Sequence, residues 1–153
     1  MRHSVARVLP YTPDQLFDLV GDVKHYPDFV PWVTSLRTWN EQPEEEGVSH
    51  LDAEAAVGFS FLREKFSTHV RRDRSNHQVD VSLISGPFKK LRNRWRFVPH
   101  EHGTKVLFDI DFEFRMRFLD GILAANFDQA VSRLIGCFDA RARTLYGTAS
   151  GVV

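Results

Sequence analysis

Residues 86–99 read GPFKKLRNRWRFVP. In an extended chain successive side chains point to opposite faces, so Lys90, Arg92, Arg94 and Arg96 share one face and Leu91, Asn93, Trp95 and Phe97 the other. Residues 104–115 repeat the pattern. Val106, Phe108, Ile110, Phe112 and Phe114 alternate with Lys105, Asp109, Asp111 and Glu113. The short segment PHEHG between the two runs predicts a hairpin with apolar groups inward and opposite charges facing each other outside. Each such cross-strand pair contributes about 0.2–1 kcal/mol. A basic strand whose field is met by a facing acidic one argues against a phosphate-binding surface.

The same period of two extends back to residue 33, with turn signals at Pro43 to Gly47, Gly58, Arg74 to Asn76, Gly86 to Pro87 and Pro99 to Gly103. Six successive strands follow, and in the second hairpin Arg63 and Lys65 are expected near Asp52 and Glu54. Residues 3–9 predict a further strand. Thr12, Pro13 and Gln15 then supply a helix cap, a first-turn proline and a capping-box partner. Leu16, Phe17, Leu19 and Val20 give that helix its apolar face, Gly21 ends it, and Asp22 is expected to cap one more short turn before Pro27.

Residues 118–146 return to helical spacing. Leu119, Ile122, Leu123, Phe127, Val131, Leu134, Phe138 and Leu145 form the stripe, predicting one helix of roughly 40 Å. The order implies an α+β fold, a seven-stranded antiparallel sheet curved around a long C-terminal helix, with two short helices after the first strand. A single domain is expected over 1–146, with 147–153 a fraying tail.

Twenty basic residues balance twenty acidic ones, so net charge exerts no global pull toward DNA or an anionic surface. The lone Cys137 lies in the helical stripe and reads as a core residue. MRHSVARVLPY lacks the apolar centre of a signal peptide, and no run nears the roughly 20 residues that cross a bilayer, so a cytoplasmic protein is expected. There is no nucleophile elbow and no phosphate-cradling glycine motif, and His100 and His102 around Glu101 are too few for a metal.

Several residues stand apart from these patterns. Glu64 shares a face with Leu62, Phe66, Thr68 and Val70, where a carboxylate needs a partner such as Asn93 or an arginine, or else anchors a ligand headgroup. Trp95 is either core or ligand contact. Phe29, Val30 and Trp32 form a lid or membrane-touching rim, or a loop folded over the core. Pro87 and Phe88 with Lys89 and Lys90 suit a tip that brushes an anionic bilayer.

LFDLVGDVKHYPDFVPW at 16–32 and GPFKKLRNRWRFVP at 86–99 resemble the coenzyme Q-binding, START-like family, also called polyketide-cyclase-like. Tyr26, Pro27, Phe29, Pro31 and Trp32 match the first motif. Gly86, Pro87, Phe88, Leu91, Trp95 and Phe97 match the second, and Glu64 sits where relatives keep a glutamate. Val33 departs from the pattern, since many members have cysteine after the Pro-Trp pair.

The resemblance implies a helix-grip fold with an apolar cavity holding ubiquinone or a similar isoprenoid lipid. It also implies a lipid chaperone for respiration, with no enzymatic role, no required cofactor and at most peripheral membrane contact. Strand alternation adds Phe66 and Phe108, and the helical stripe Phe127 and Val131, to the expected lining. The same family includes a ribosome-association toxin that binds the large subunit, which is the alternative, and aromatase or cyclase enzymes, for which only Glu64 offers a pocket acid.

Overall fold

The computed structural model describes residues 1–59 and 62–147. Seven antiparallel strands make one sheet: β1 (Arg2–Leu9), β2 (Val33–Glu45), β3 (Val48–Phe59), β4 (Leu62–Asp73), β5 (Gln78–Ser85), β6 (Phe88–His100) and β7 (Gly103–Phe114). They lie in the order β1-β7-β6-β5-β4-β3-β2. The chain therefore meanders from β2 to β7 and closes by placing β1 beside β7. The expected α+β helix-grip architecture is what forms. The fraying tail expected at 147–153 falls, after Gly147, outside the described residues.

Helix α1 (Pro13–Gly21) starts as its sequence dictates. The Thr12 hydroxyl accepts the Gln15 N–H at 3.1 Å and the Gln15 side chain accepts the Thr12 N–H at 3.0 Å. The turn after it is a 3-10 helix, Val23–Asp28, that runs through Pro27 instead of ending before it. Asp22 does not cap its backbone, because the carboxylate is taken by the His25 ring at 2.6 Å.

The C-terminal helix is two helices, α2 (Arg117–Ala125) and α3 (Phe127–Tyr146). The single 40 Å helix predicted from the stripe is broken at Asn126. There the backbone leaves helical geometry at φ −119°, and the side-chain amide donates to the Ile122 carbonyl at 2.8 Å. An asparagine amide that competes for a backbone carbonyl offers the chain an alternative to the next helical turn. Ile122 and Leu145, placed on the core stripe by spacing, are instead 41% and 50% exposed.

Register corrects a second expectation. Arg63 opposes Gly58 and Lys65 opposes Ala56, not the carboxylates of β3. Asp52 bonds His69 at 2.8 Å, and Glu54 reaches Arg37 on β2 at 3.5 Å. Pairing continues past the Gly58 signal to Phe59 opposite Leu62, and that sets the register of the whole ladder.

Candidate functional site at the inner face of the sheet

The face of the sheet that carries the helices is built from transverse rows. One row runs Val79, Trp95, Phe108, Val5 across β5, β6, β7 and β1. Trp95 meets Phe108 at 4.8 Å and Phe138 of α3 at 5.3 Å, both tilted steeply, and is only 5% exposed. Leu91, Phe97, Phe127 and Val131 are buried around the same core.

The next row runs Val70, Val81, Asn93, Ile110, His3. Of these only Val70 is fully buried. Together with Leu36, Phe66 and Leu83 on the sheet, and Leu123 and Leu134 on the helices, Val81 and Ile110 keep a partly open apolar band beside the packed core.

Polar groups mark this band. The Asn93 amide donates to the Asp109 carbonyl at 2.9 Å, so it does not pair with Glu64 as expected. Glu64, half-buried opposite Val57, has neither hydrogen bond nor ion pair among the described residues. His3 stacks on Phe127 at 4.0 Å, and its Nε2 is buried without a partner. Sequence reasoning missed His3. Its only signal was a ring-bearing polar residue at an inward position of the first strand.

The loop after α1 settles over the core. Val30 is 1% exposed, Phe29 meets Phe138 at 5.2 Å, and the Tyr26 hydroxyl donates to the Val20 carbonyl. Phe29 and Val30 therefore form no free rim, while Pro31 is exposed and Trp32 half-buried. The expected bilayer tip is also corrected. Phe88 turns inward, stacked on Phe114 at 4.6 Å and edge-on to Phe66 at 5.6 Å, because a bulge between Phe88 and Lys90 shifts it to the inner face beside Leu91. Pro87 is half-buried.

Elsewhere, a groove of about 670 Å³ lies between α1 and the β2–β3 hairpin. Six charged side chains line it, among them Asp18, Glu45, Arg72 and Arg74, a setting unsuited to an apolar tail. None of the site residues expected from sequence lines it.

A family model described as polyketide cyclase / dehydrase and lipid transport matches residues 9–139. The chain belongs to this family. Among its curated relatives, the ribosome association toxin RatA of Rickettsia prowazekii is 35% identical over 140 residues, covering 90% of this chain and 92% of that one. The mitochondrial coenzyme Q-binding protein COQ10 homolog B of Xenopus laevis is 30% identical over 152 residues, covering 96% of this chain and 60% of that one. The solution structure of the 18 kDa protein CC1736 from Caulobacter crescentus superposes with a TM-score of 0.83 at 59% identity, covering 97% and 99% of the two chains.

On this member of the polyketide cyclase and lipid-transport family, the outer face of the sheet answers the charge question only in part. Lys90 bridges to Asp111 at 3.2 Å, but Arg94 turns to Asp80 on β5 at 2.6 Å. Arg92 opposes Asp111 and Arg96 opposes Leu107, and neither makes an ion pair among the described residues. No cluster of three metal-ligating side chains occurs among the described residues, and no helix there is long and apolar enough to cross a membrane. Burial pushes the Cys137 thiol up, away from the reactive thiolate. What the inner face offers chemically is apolar enclosure with one buried unsatisfied group, the His3 Nε2, and one half-buried carboxylate, Glu64.

Proposed function

We propose that this chain binds ubiquinone or a similar isoprenoid lipid along the partly open apolar band of its inner face, as a carrier of that lipid. One observation carries the reading: the band borders His3 and Glu64, two inward polar side chains without a hydrogen bond or ion pair among the described residues. An isoprenoid tail covering Val81, Leu83, Ile110 and Phe66 gains roughly 25 cal/mol per Å² of apolar area removed from water. A quinone carbonyl would accept a hydrogen bond from the His3 Nε2–H, satisfying a buried group that is otherwise costly to leave unpaired. The mitochondrial relative, a coenzyme Q-binding protein, supports the same ligand.

The test is native purification, organic extraction and mass spectrometry for quinone. Leu83→Trp, which fills the band, and His3→Ala are the informative variants. Trp95→Ala is not, because so deeply packed a ring reports unfolding first. Near-stoichiometric quinone that falls in both variants supports the reading, and quinone-free protein from gentle purification overturns it.

A second reading has its own support. RatA relatives carry the name ribosome association toxin, and Arg92 and Arg96 are exposed cations on the outer face. Co-sedimentation with large ribosomal subunits that weakens steeply with salt and with Arg92→Glu would favour it.

A further inference from the structure

Six large apolar side chains are well exposed among the described residues, and three of them, Met116, Phe118 and Ile122, cluster at the β7–α2 end of the molecule. Two hydrogen bonds hold that end together. The Arg115 N–H donates to the Pro87 carbonyl at 2.8 Å and its Nε to the Gly86 carbonyl at 3.3 Å. The β5–β6 turn and the β7–α2 junction are thereby clamped side by side.

Helix α2 makes the surface. Leu119 is buried and Leu123 half-buried, so the helix docks by that side. Phe118, Gly121, Ile122, Ala124 and Ala125 are all exposed, with Phe118 at 56% and Ile122 at 41%. Its one carboxylate, Asp120, is drawn in to accept the Phe114 N–H at 2.9 Å. The outward surface of α2 is thus apolar along its length, and its charge is the cation Arg117. Arg115 and Lys89, both exposed, flank it from the neighbouring segments.

We infer that α2, with Met116, is a docking surface for an anionic lipid bilayer. Apolar side chains enter the interfacial layer while Arg115, Arg117 and Lys89 meet anionic headgroups, the arrangement of an interfacial amphipathic helix. A second copy fits less well, since a two-fold contact through this patch would turn the same three cations toward one another. The surface adjoins the inner-face band through Leu123 and so extends the lipid-carrier reading by giving it a point of exchange. Its test does not depend on that reading.

The full chain is floated with vesicles of phosphatidylcholine alone and of phosphatidylcholine mixed with phosphatidylglycerol. The expected result is binding to the anionic vesicles only. Phe118→Asp and Ile122→Asp should each weaken it about tenfold or more, as loss of a buried large apolar group implies. Arg117→Glu with Lys89→Glu should remove its salt dependence. Thermal unfolding of each variant confirms an intact fold, expected because both apolar sites are exposed. No binding to anionic vesicles, or undiminished binding by Phe118→Asp and Ile122→Asp, overturns the inference. So does a concentration-dependent dimer in sedimentation that these variants abolish. Quinone is extracted from the same preparations. Quinone-free protein that still floats supports the docking surface and counts against the ligand reading alone.

Discussion

Phe138 of α3 meets Trp95 of β6 with ring centroids 5.3 Å apart and planes 62° apart, and receives Tyr26 and Phe29 on its other edges at 5.3 and 5.2 Å. One ring therefore joins the sheet, the long helix and the segment after α1. Tilted and edge-to-face contacts of this kind add to the area each ring buries. The joint fixes where α3 crosses the sheet, and hence how much of the inner face is covered and how much remains as the open band.

Phe138→Ala should cost about 3–5 kcal/mol, the usual range for deleting a buried phenylalanine. Urea unfolding gives the value. A loss below about 1 kcal/mol would mean that the surrounding rings collapse into the space and that the joint is not specific.

Tyr26 gives a pH-dependent prediction. Burial, with a smaller contribution from Asp22, raises its phenol far above the usual value of about 10. The folded state thus holds a proton that the unfolded chain releases, so the associated stability is complete below about pH 10 and falls as pH rises beyond it. In native alkaline titration by absorbance, the Tyr26 phenolate should appear only as the protein unfolds, and Tyr26→Phe should remove that late component. Loss of amplitude from the early, native-state part of the titration in Tyr26→Phe would contradict the buried placement.

Much of the fold was legible because β6, from Lys90 on, and β7 alternate cleanly. The charged face of β6 and the phenylalanines of β7 leave one choice of inward side, and the Thr12–Gln15 capping box marks the start of α1 to the residue. Less legible was anything decided by a single residue's competition for backbone. Asn126 breaks a stripe whose apolar period continues across it, and the bulge at Lys89 pulls Phe88 indoors although alternation from Leu91 places it outside. The expected site residues and those that only the structure adds divide accordingly. Leu91, Trp95, Phe97, Phe108, Phe127 and Val131 lie in packed core, whereas Val81, Leu83, Ile110 and His3, which border the opening, follow from where the helices stop covering the sheet. No local pattern encodes that.

The β4–β5 turn is held by Asp73, whose carboxylate accepts the Asn76 N–H at 3.2 Å and the Asn76 side-chain amide at 2.7 Å. The side-chain bond from Asn76 is the main cause holding its carboxyl below the usual range. A lowered folded value contributes stability that is present above the unfolded value of about 3.9 and is lost as pH falls through the native one. Asp73→Ala should cost about 1–3 kcal/mol at neutral pH and shrink the acid-side decline. Unfolding midpoints measured from neutral to acid pH check both parts. An unchanged acid slope would assign that decline to other carboxylates.

Gly86 couples the turn to the open band. Its φ of +145° lies where side chains are strained, and a Cβ there would sit 2.5 Å from the Phe66 Cβ and 3.1 Å from its Cα. Gly86→Ala should therefore cost about 1–3 kcal/mol from backbone strain, with steric crowding on top. The two parts are separable. Phe66→Ala retains the Cβ and should leave the Gly86→Ala penalty unchanged, whereas Phe66→Gly removes the nearest atom and should lower the penalty without abolishing it, because the backbone strain stays. Double-mutant cycles from urea unfolding measure this coupling. Equal penalties in the Phe66→Ala and Phe66→Gly backgrounds would show that the backbone alone dictates glycine. A smaller one in Phe66→Gly would tie the turn that receives Arg115 to the packing of Phe66 at the edge of the band.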